Sequence, residues 1–562
     1  MGCWLLTKES CAALATATCF SSNPPLSSSV ISSVGYLLVS SIISLKHQGG
    51  IFAAHRALQT IAVACQTEYS HEPALSGLPL AWSNELLMQI SSPDFVRDSI
   101  LRRSSGYALG LLATMRSETS NGIPSSICPM VLSKLLRLSL PPASIVEAKL
   151  KRLGLSGFQF TFSRELQNSS FVDDEKYQWK SRVHALNILR FAILDAPLAK
   201  ELRWYISDCI ISAFIGYDDS SWAVRNSSTM VYASTMLRVI DADKNAARGA
   251  SKTAITAQEL FRIYPALAPV LVAILAEGVE ASFALTSSSM AYTLHPSLFP
   301  ILLLLSRLQP VEDVAADVGA IESVEPFLQH VLRCLSHPHH KVRLMASRAA
   351  AALCSGDGND VTSRSEILTW CKKRYSTSID WNSKHGILLC VKYLLKISSS
   401  FEAFDLIGPL ICNAASWGDN NFDAPPSCVA VALECWADAH LRSIISSVIE
   451  KSLASSLCAA VHATTKFDKA GVNLIGASHL CCVSSELLAK LLHGDLFSFN
   501  DDVRMKTLST MAWLLQVSFD ARWIAAKTIK KSLYELIKKI TSDTSVEPLT
   551  RAKVSWSQNT AA

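Results

Sequence analysis

Apolar residues recur at three- and four-residue intervals along most of this chain, and that periodicity leaves few folds open. The stretches 131–140, 183–194, 202–214 and 230–240 each place Leu, Ile, Val and Phe one helical turn apart. Alternating strand patterns joined by hairpin turns are nearly absent, and no strand, glycine-rich loop and helix follow one another as in a dinucleotide-binding unit. The breaks at 21–25, 75–79, 121–124, 218–221, 355–360 and 423–427 are short, which predicts antiparallel helix pairs. At 562 residues the chain exceeds what one hydrophobic core can hold, so it needs several helical domains or a repeat array.

A recurring phrase decides for the array. Val-Arg enters a helical pattern in PDFVRDSILRRSSG, SWAVRNSSTMVYA, HKVRLMASRAAAAL and DDVRMKTLSTMAWLL, with the arginines at Arg97, Arg225, Arg343 and Arg504. Their separations of 128, 118 and 161 positions divide by three, three and four into roughly 40 residues, the period of HEAT and armadillo repeats. The expected fold is all-α, an armadillo/HEAT-type helical-repeat superhelix (an α-solenoid). The valine should enter the core as the second helix of a repeat begins. An arginine in this position often ties neighbouring repeats together, so Arg343 and Arg348 can do this or face a partner. Arg225 and Asn226, just after a turn, are candidates for a partner-facing pair.

Charge limits the range of functions. Lys and Arg number 52 against 47 acidic residues, a formal charge of +5, less basic than a dedicated nucleic-acid binder. Contact with RNA must come from local patches or be shared with a partner. The runs 149–152 and 372–374, with Lys530, Lys531, Lys538 and Lys539, could touch phosphates but read more simply as solvated helix faces. Sixteen cysteines form no C-x-x-C pair, and most lie in apolar runs, as expected of buried free thiols in a reducing compartment. His479 with Cys481 and Cys482, and the SHPHH run at 336–340, lack the paired spacing of zinc sites. No metal is expected. Gly2 and Cys3 suggest lipidation, but Leu6 stands where myristoylation wants Ser or Thr. The apolar stretches 30–43 and 266–276 fall short of a bilayer. The expectation is a cytoplasmic protein with no membrane contact.

Catalytic constellations do not emerge. GASHL lacks the second glycine of a nucleophile elbow, GDGND lacks the later ligands of a calcium loop, and no P-loop or HExxH occurs. The expectation is no catalytic residue and no cofactor. Among smaller features, His295 and Pro296 should cap a buried helix, while His184 and Asn187 should bond within the core. His385 and Gly386 suit a close-packed turn or helix start.

One helix asks for an explanation. LRRSSGYALG, at 101–110, sets two arginines before Gly106 and Gly110. Each glycine costs a helix roughly 1 kcal/mol relative to alanine. A helix capped by Ser92 and started by Pro93 would carry Phe95, Leu101, Ala108, Leu112 and Met115 on an apolar face, flanked by Ile100, Tyr107 and Leu111. Arg102, Arg103, Gly106 and Gly110 would fall opposite. Two readings stand side by side. The glycines can admit a neighbouring helix while the arginines pair with acids, or they can form a notch for a backbone or phosphate that the arginines grip.

Several phrases occur in a telling order: GCWLLTKE (2–9), LRRSSG (101–106), RVHALNILR (182–190), WAVRNSSTM (222–230), LHPSLFPILLLLSRL (294–308), VRLMASRA (342–349) and SKHGILL (383–389). This series resembles the thyroid adenoma-associated protein (THADA) family, including its fungal tRNA-methylation relatives. It covers residues 1–390, with the core motif region in about 1–250, and leaves 391–562 as less recognisable helical repeats. The resemblance implies a non-catalytic regulatory partner of an FtsJ-like methyltransferase that 2′-O-methylates tRNA nucleotide 32 in the anticodon loop, with S-adenosylmethionine bound by that enzyme. It also implies that the chain is a shortened member. It favours a partner- or tRNA-binding role for Arg102, Arg103, Ser104 and Gly106, which match the family's Arg-Arg-Ser-Ala-Gly-Leu-Pro motif. Ser105 departs from it, and Tyr107-Ala108 replace Leu-Pro, so here the helix can run on to Met115. The competing expectation is a general helical-repeat scaffold or transport adaptor.

Overall fold

In a computed structural model of the chain, the described residues are 2–20, 26–92, 104–119, 126–166, 179–240, 255–284, 294–310, 324–354 and 363–397, with 428 and 431. They form helices almost throughout; among them no strand forms, and one bridge pairs Thr256 with Gln309. We number the longer helices α1 (Gly2–Phe20), α2 (Ser28–Ser44), α3 (Gln48–Gln66), α4 (Leu78–Ser91), α5 (Ser104–Thr119), α6 (Ile127–Ser139), α7 (Ala143–Arg152), α8 (Trp179–Leu194), α9 (Ile206–Gly216), α10 (Trp222–Val239), α11 (Ala257–Ile263), α12 (Leu267–Ala284), α13 (Leu298–Leu305), α14 (Glu325–Arg333), α15 (His340–Ala352), α16 (Arg364–Thr377) and α17 (Trp381–Ile397). Chain packing gives two compact units. The first comprises Met1–Ile255, Glu259–Ala281 and Ser289–Ile301, and the second Leu302–Ala562 with Thr256–Gln258 and Ser282–Ser288.

In the first unit, five of the long helices join a parallel row. Trp4 at the start of α1 stacks on His47 at the start of α3, and Cys19 near its end contacts the Thr60 carbonyl. His55 of α3 donates from Nδ1 to the Leu109 carbonyl of α5 (2.8 Å), and Arg116 of α5 donates back to Gln59 of α3 (3.3 Å). Arg116 also pairs with Asp195 at the end of α8, while Tyr107 meets His184 one turn into α8. Arg182 of α8 pairs with Asp219 just before α10, and Arg238 of α10 donates to the Ile193 carbonyl of α8 (3.0 Å). Start meets start and end meets end along α1, α3, α5, α8 and α10. The second unit repeats the pattern with α15 and α17, which begin 41 residues apart at His340 and Trp381. That interval lies in the HEAT/armadillo range. The fold is an all-α, HEAT/armadillo-type helical repeat, as the periodicity predicts.

The core is mostly Leu, Ile, Val and Ala, with aromatic rings set among them. Trp82, Leu58, Leu86 and Phe214 are fully buried, and ten cysteines, among them Cys65, Cys128, Cys209 and Cys390, are free thiols in buried positions, as their apolar surroundings imply. One predicted helix is divided. The 202–214 pattern resolves into a 3₁₀ turn at Arg203–Tyr205 followed by α9. No single helix among the described residues is long and apolar enough to cross a membrane; the pair Ala257–Ile263 and Leu267–Phe283 passes together but is bent by 119°.

Candidate functional site

Helix α5 begins at Ser104 and runs unbroken through Tyr107 and Met115 to Thr119, so the chain does continue as a helix where the family motif has Leu-Pro. Arg102 and Arg103 lie outside the described residues, as does the start proposed at Pro93; Ser92 closes α4 in an extended conformation. The expected two-sided helix is not what forms. Tyr107, Ala108, Leu109, Leu111, Leu112, Ala113 and Met115 are all buried, and so are Gly106 and Gly110. With α2, α3, α4, α6 and α8 all packed against it, α5 has no solvent stripe to keep polar.

The glycines therefore face protein. A Cβ on Gly106 would stand 2.5 Å from the Ile42 carbonyl oxygen of α2, and one on Gly110 would stand 2.9 Å from Leu86 of α4. The notch at Gly106 is filled by a neighbouring helix backbone. Beneath the start of α5, Tyr107 donates to Gln89 (3.3 Å), which in turn donates to Glu85 (2.8 Å). Burial lowers the His184 imidazole to about 4, so it is a neutral core group. At the other end, Glu118 accepts from the backbone amides of Ser126 and Ile127 and from the Ser126 hydroxyl, satisfying the first turn of α6.

The Val-Arg phrases share one construction. Val224 and Val342 are fully buried. Arg225 donates to the carbonyls of Asp219 (2.6 Å) and Ser220 (3.0 Å), six and five residues back. Arg343 donates to those of His337 (2.8 Å) and Pro338 (2.7 Å), at the same two offsets. Each arginine clamps the turn that precedes its helix. Arg343 is buried and reaches Asn382 and His385 of α17, while Arg348 lies over the Tyr393 ring and donates to its hydroxyl (3.0 Å). Both tie α15 to α17. Asn226 is exposed one position beyond Arg225. Arg97 and Arg504 lie outside the described residues.

Other candidates are accounted for locally. His337, His339 and His340 of the SHPHH run form a turn, His337 accepting from the His339 amide (3.0 Å) and His340 lying against His385. His295 accepts weakly from the Ser297 amide before α13, as a cap does. His479, Cys481, Cys482 and the lysines from 530 onward lie outside the described residues. Long-range packing assembles a set that linear spacing did not reveal: Asp218, Glu277 and His295 hold their ligand atoms within 4.8 Å of one another. Lys149 pairs with Asp218 and Arg152 with Glu277 (2.7 Å), so each carboxylate already has a cation and the group is an ion-pair network. In the second unit, a cleft of about 460 Å³ is lined by Trp370, Arg333, Arg374, Glu325 and Glu366 over an apolar floor.

Residues 1–223 match the sequence profile of the family described as THADA/TRM732, DUF2428, and residues 225–394 match that described as Trm732, C-terminal TPR repeats. A relative from Gallus gallus, named tRNA (32-2′-O)-methyltransferase regulator THADA, is 27% identical over 376 residues, 65% of this chain and 17% of that one. The protein of the same name from Canis lupus familiaris is 26% identical over 381 residues, 67% of this chain and 17% of that one. The present chain thus spans about a sixth of the length of these relatives. Among solved structures, yeast importin-beta (Kap95p) covers 99% of this chain with 67% of its own, at 10% identity and a TM-score of 0.41. Kap121p covers 98% of this chain with 56% of its own, at 12% identity and a TM-score of 0.41.

Proposed function

The chain belongs to the THADA/Trm732 family, and on that premise we propose that it is a non-catalytic, cytoplasmic regulatory subunit of an FtsJ-like tRNA methyltransferase. The reaction it serves is 2′-O-methylation of nucleotide 32 in the anticodon loop. The observation that carries this reading is the match to relatives named as regulators of the tRNA (32-2′-O)-methyltransferase, over about two thirds of the chain. S-adenosylmethionine belongs to the enzyme, and this chain contributes position. A row of parallel helices locked by Arg116, Arg182 and Arg238 is a stiff support. Holding the anticodon stem-loop on such a support turns an encounter between a mobile ribose and the methyl donor into a pre-oriented one. In this reading Gly106 seats α5 against α2, and Arg102 and Arg103, just ahead of α5, present forked donors to a phosphate or to the enzyme.

The test is ribose-methylation mapping of tRNA from cells lacking the gene, complemented with the unsubstituted chain or with R102A/R103A. Nucleotide 32 should lose methylation in the deletion, regain it with the unsubstituted chain and stay low with R102A/R103A, whose melting temperature should be unchanged. Full methylation in the deletion strain would end this reading. A variant that fails to fold would give the arginines a packing role.

A further inference from the structure

Helices α8 and α10 pack side by side and parallel, and their outward faces carry the wrong residues for water. A helix that closes only its own core keeps its outer stripe polar. Along α10 the exposed stripe sets Trp222, Met230 and Leu237 among Asn226, Thr229 and Ala233, with Trp222 70% and Leu237 53% exposed. On α8 the outward residues near the end are Phe191 and Leu194. The Arg190 guanidinium reaches the Met230 sulfur at 3.6 Å, which joins the two stripes into one surface. Trp and Met are enriched where proteins bind proteins, and a contiguous exposed apolar patch marks such a site.

Charge identifies the kind of partner. Neither α8 nor α10 contains an acidic residue. Of their five lysines and arginines, three serve the fold: Arg182 pairs with Asp219, Arg225 clamps the preceding turn and Arg238 holds the end of α8. Lys180 lies over the Trp179 ring at the start of α8, so the set does not follow a phosphate backbone. Arg190 remains at the rim of the apolar face. A surface of this composition fits an amphipathic helix with aliphatic residues one turn apart and a carboxylate on its flank, laid along the α8–α10 groove.

We infer that the outer face of α8 and α10 is the docking surface for such a helix of the methyltransferase, an assignment that rests on the regulatory reading above. The experiment measures binding of the full chain to the purified methyltransferase from the same source by biolayer interferometry, with circular dichroism to check folding. L194E/L237E should weaken binding at least tenfold and R190E several-fold, while I145E, on the exposed face of α7, should bind as the unsubstituted chain does. Affinity for tRNA alone should not change in any of them. If L194E/L237E lowers the melting temperature, the milder L194S/L237S replaces it and should still weaken binding. Unchanged enzyme binding by a folded variant overturns the assignment and leaves the regulatory reading standing. Loss of tRNA binding instead would make the face an RNA surface. A dimer that becomes a monomer in L194E/L237E would make it a self-association surface. Failure of the unsubstituted chain to bind the enzyme would bring down the regulatory reading together with this one.

Discussion

Gly106 is where a single hydrogen atom decides how two helices meet. Alanine at this position gains roughly 1 kcal/mol of helix propensity. Its methyl group would sit 2.5 Å from a backbone oxygen of α2, and a backbone cannot turn aside as a side chain can. Overpacking of this kind costs about 1–3 kcal/mol, so Gly106→Ala should lose up to about 2 kcal/mol of stability net of the propensity gain. Thermal unfolding measures it, and an unchanged or higher melting temperature would show that α2 can yield. The glycine was visible in the sequence, but its neighbour was not, because nothing at 101–110 says which element fills the notch. The Val-Arg phrase was easier to interpret. Its period gave the repeat and its valine gave the core position, whereas the arginine's acceptors are carbonyls, which no side-chain pattern records.

At the scale of the element, periodicity located the helices well and their faces less well. Helix α5 is buried on every side, so a search for one apolar stripe splits a uniform surface in two; length and composition within the array decide its burial. The stripe on α10 misleads in the opposite sense, because apolar residues on an outer face look like core until neighbours are placed. Helices α15 and α17 carry a pH dependence that follows from their packing. His337 and His385 are buried, beside Arg343 and one another's neighbours, and burial lowers each imidazole to about 4. His385 accepts from Arg343 Nε (3.3 Å), which requires its Nδ1 to be unprotonated. Above pH 6.5 both rings are neutral, folded or unfolded, and the contribution to stability is constant. As pH falls from 6.5 toward 4 the unfolded chain takes up protons that the folded one refuses. Stability then drops by up to about 1.4 kcal/mol per pH unit for each ring. Amide exchange in α15 and α17, corrected for intrinsic rates, should show this loss, and His385→Gln should remove part of the slope. A local readout is needed because Asp208 in the first unit, raised to about 6 by burial, acts in the opposite direction over the same range. A slope unaffected by His385→Gln would place the titration elsewhere.

Across the whole molecule, stability should spread from neighbour to neighbour. In a repeat array each helix pair is held by its own packing and by the interfaces on either side. Here the interfaces are specific: Arg116 alone joins α3, α5 and α8, and Arg238 with Arg182 joins α8 to α10. Leu186 is fully buried midway along α8, and truncating it to alanine should cost about 2–5 kcal/mol. That cost should not be shared evenly. Native-state amide exchange of Leu186→Ala should accelerate first in α8, then in α5 and α10, with a smaller effect in α3. Protection in α15 and α17, which belong to the other compact unit, should be unchanged. Uniform acceleration through all these helices would mean that the two units unfold as one, and the row of parallel helices would then be a poor description of how the chain holds its shape.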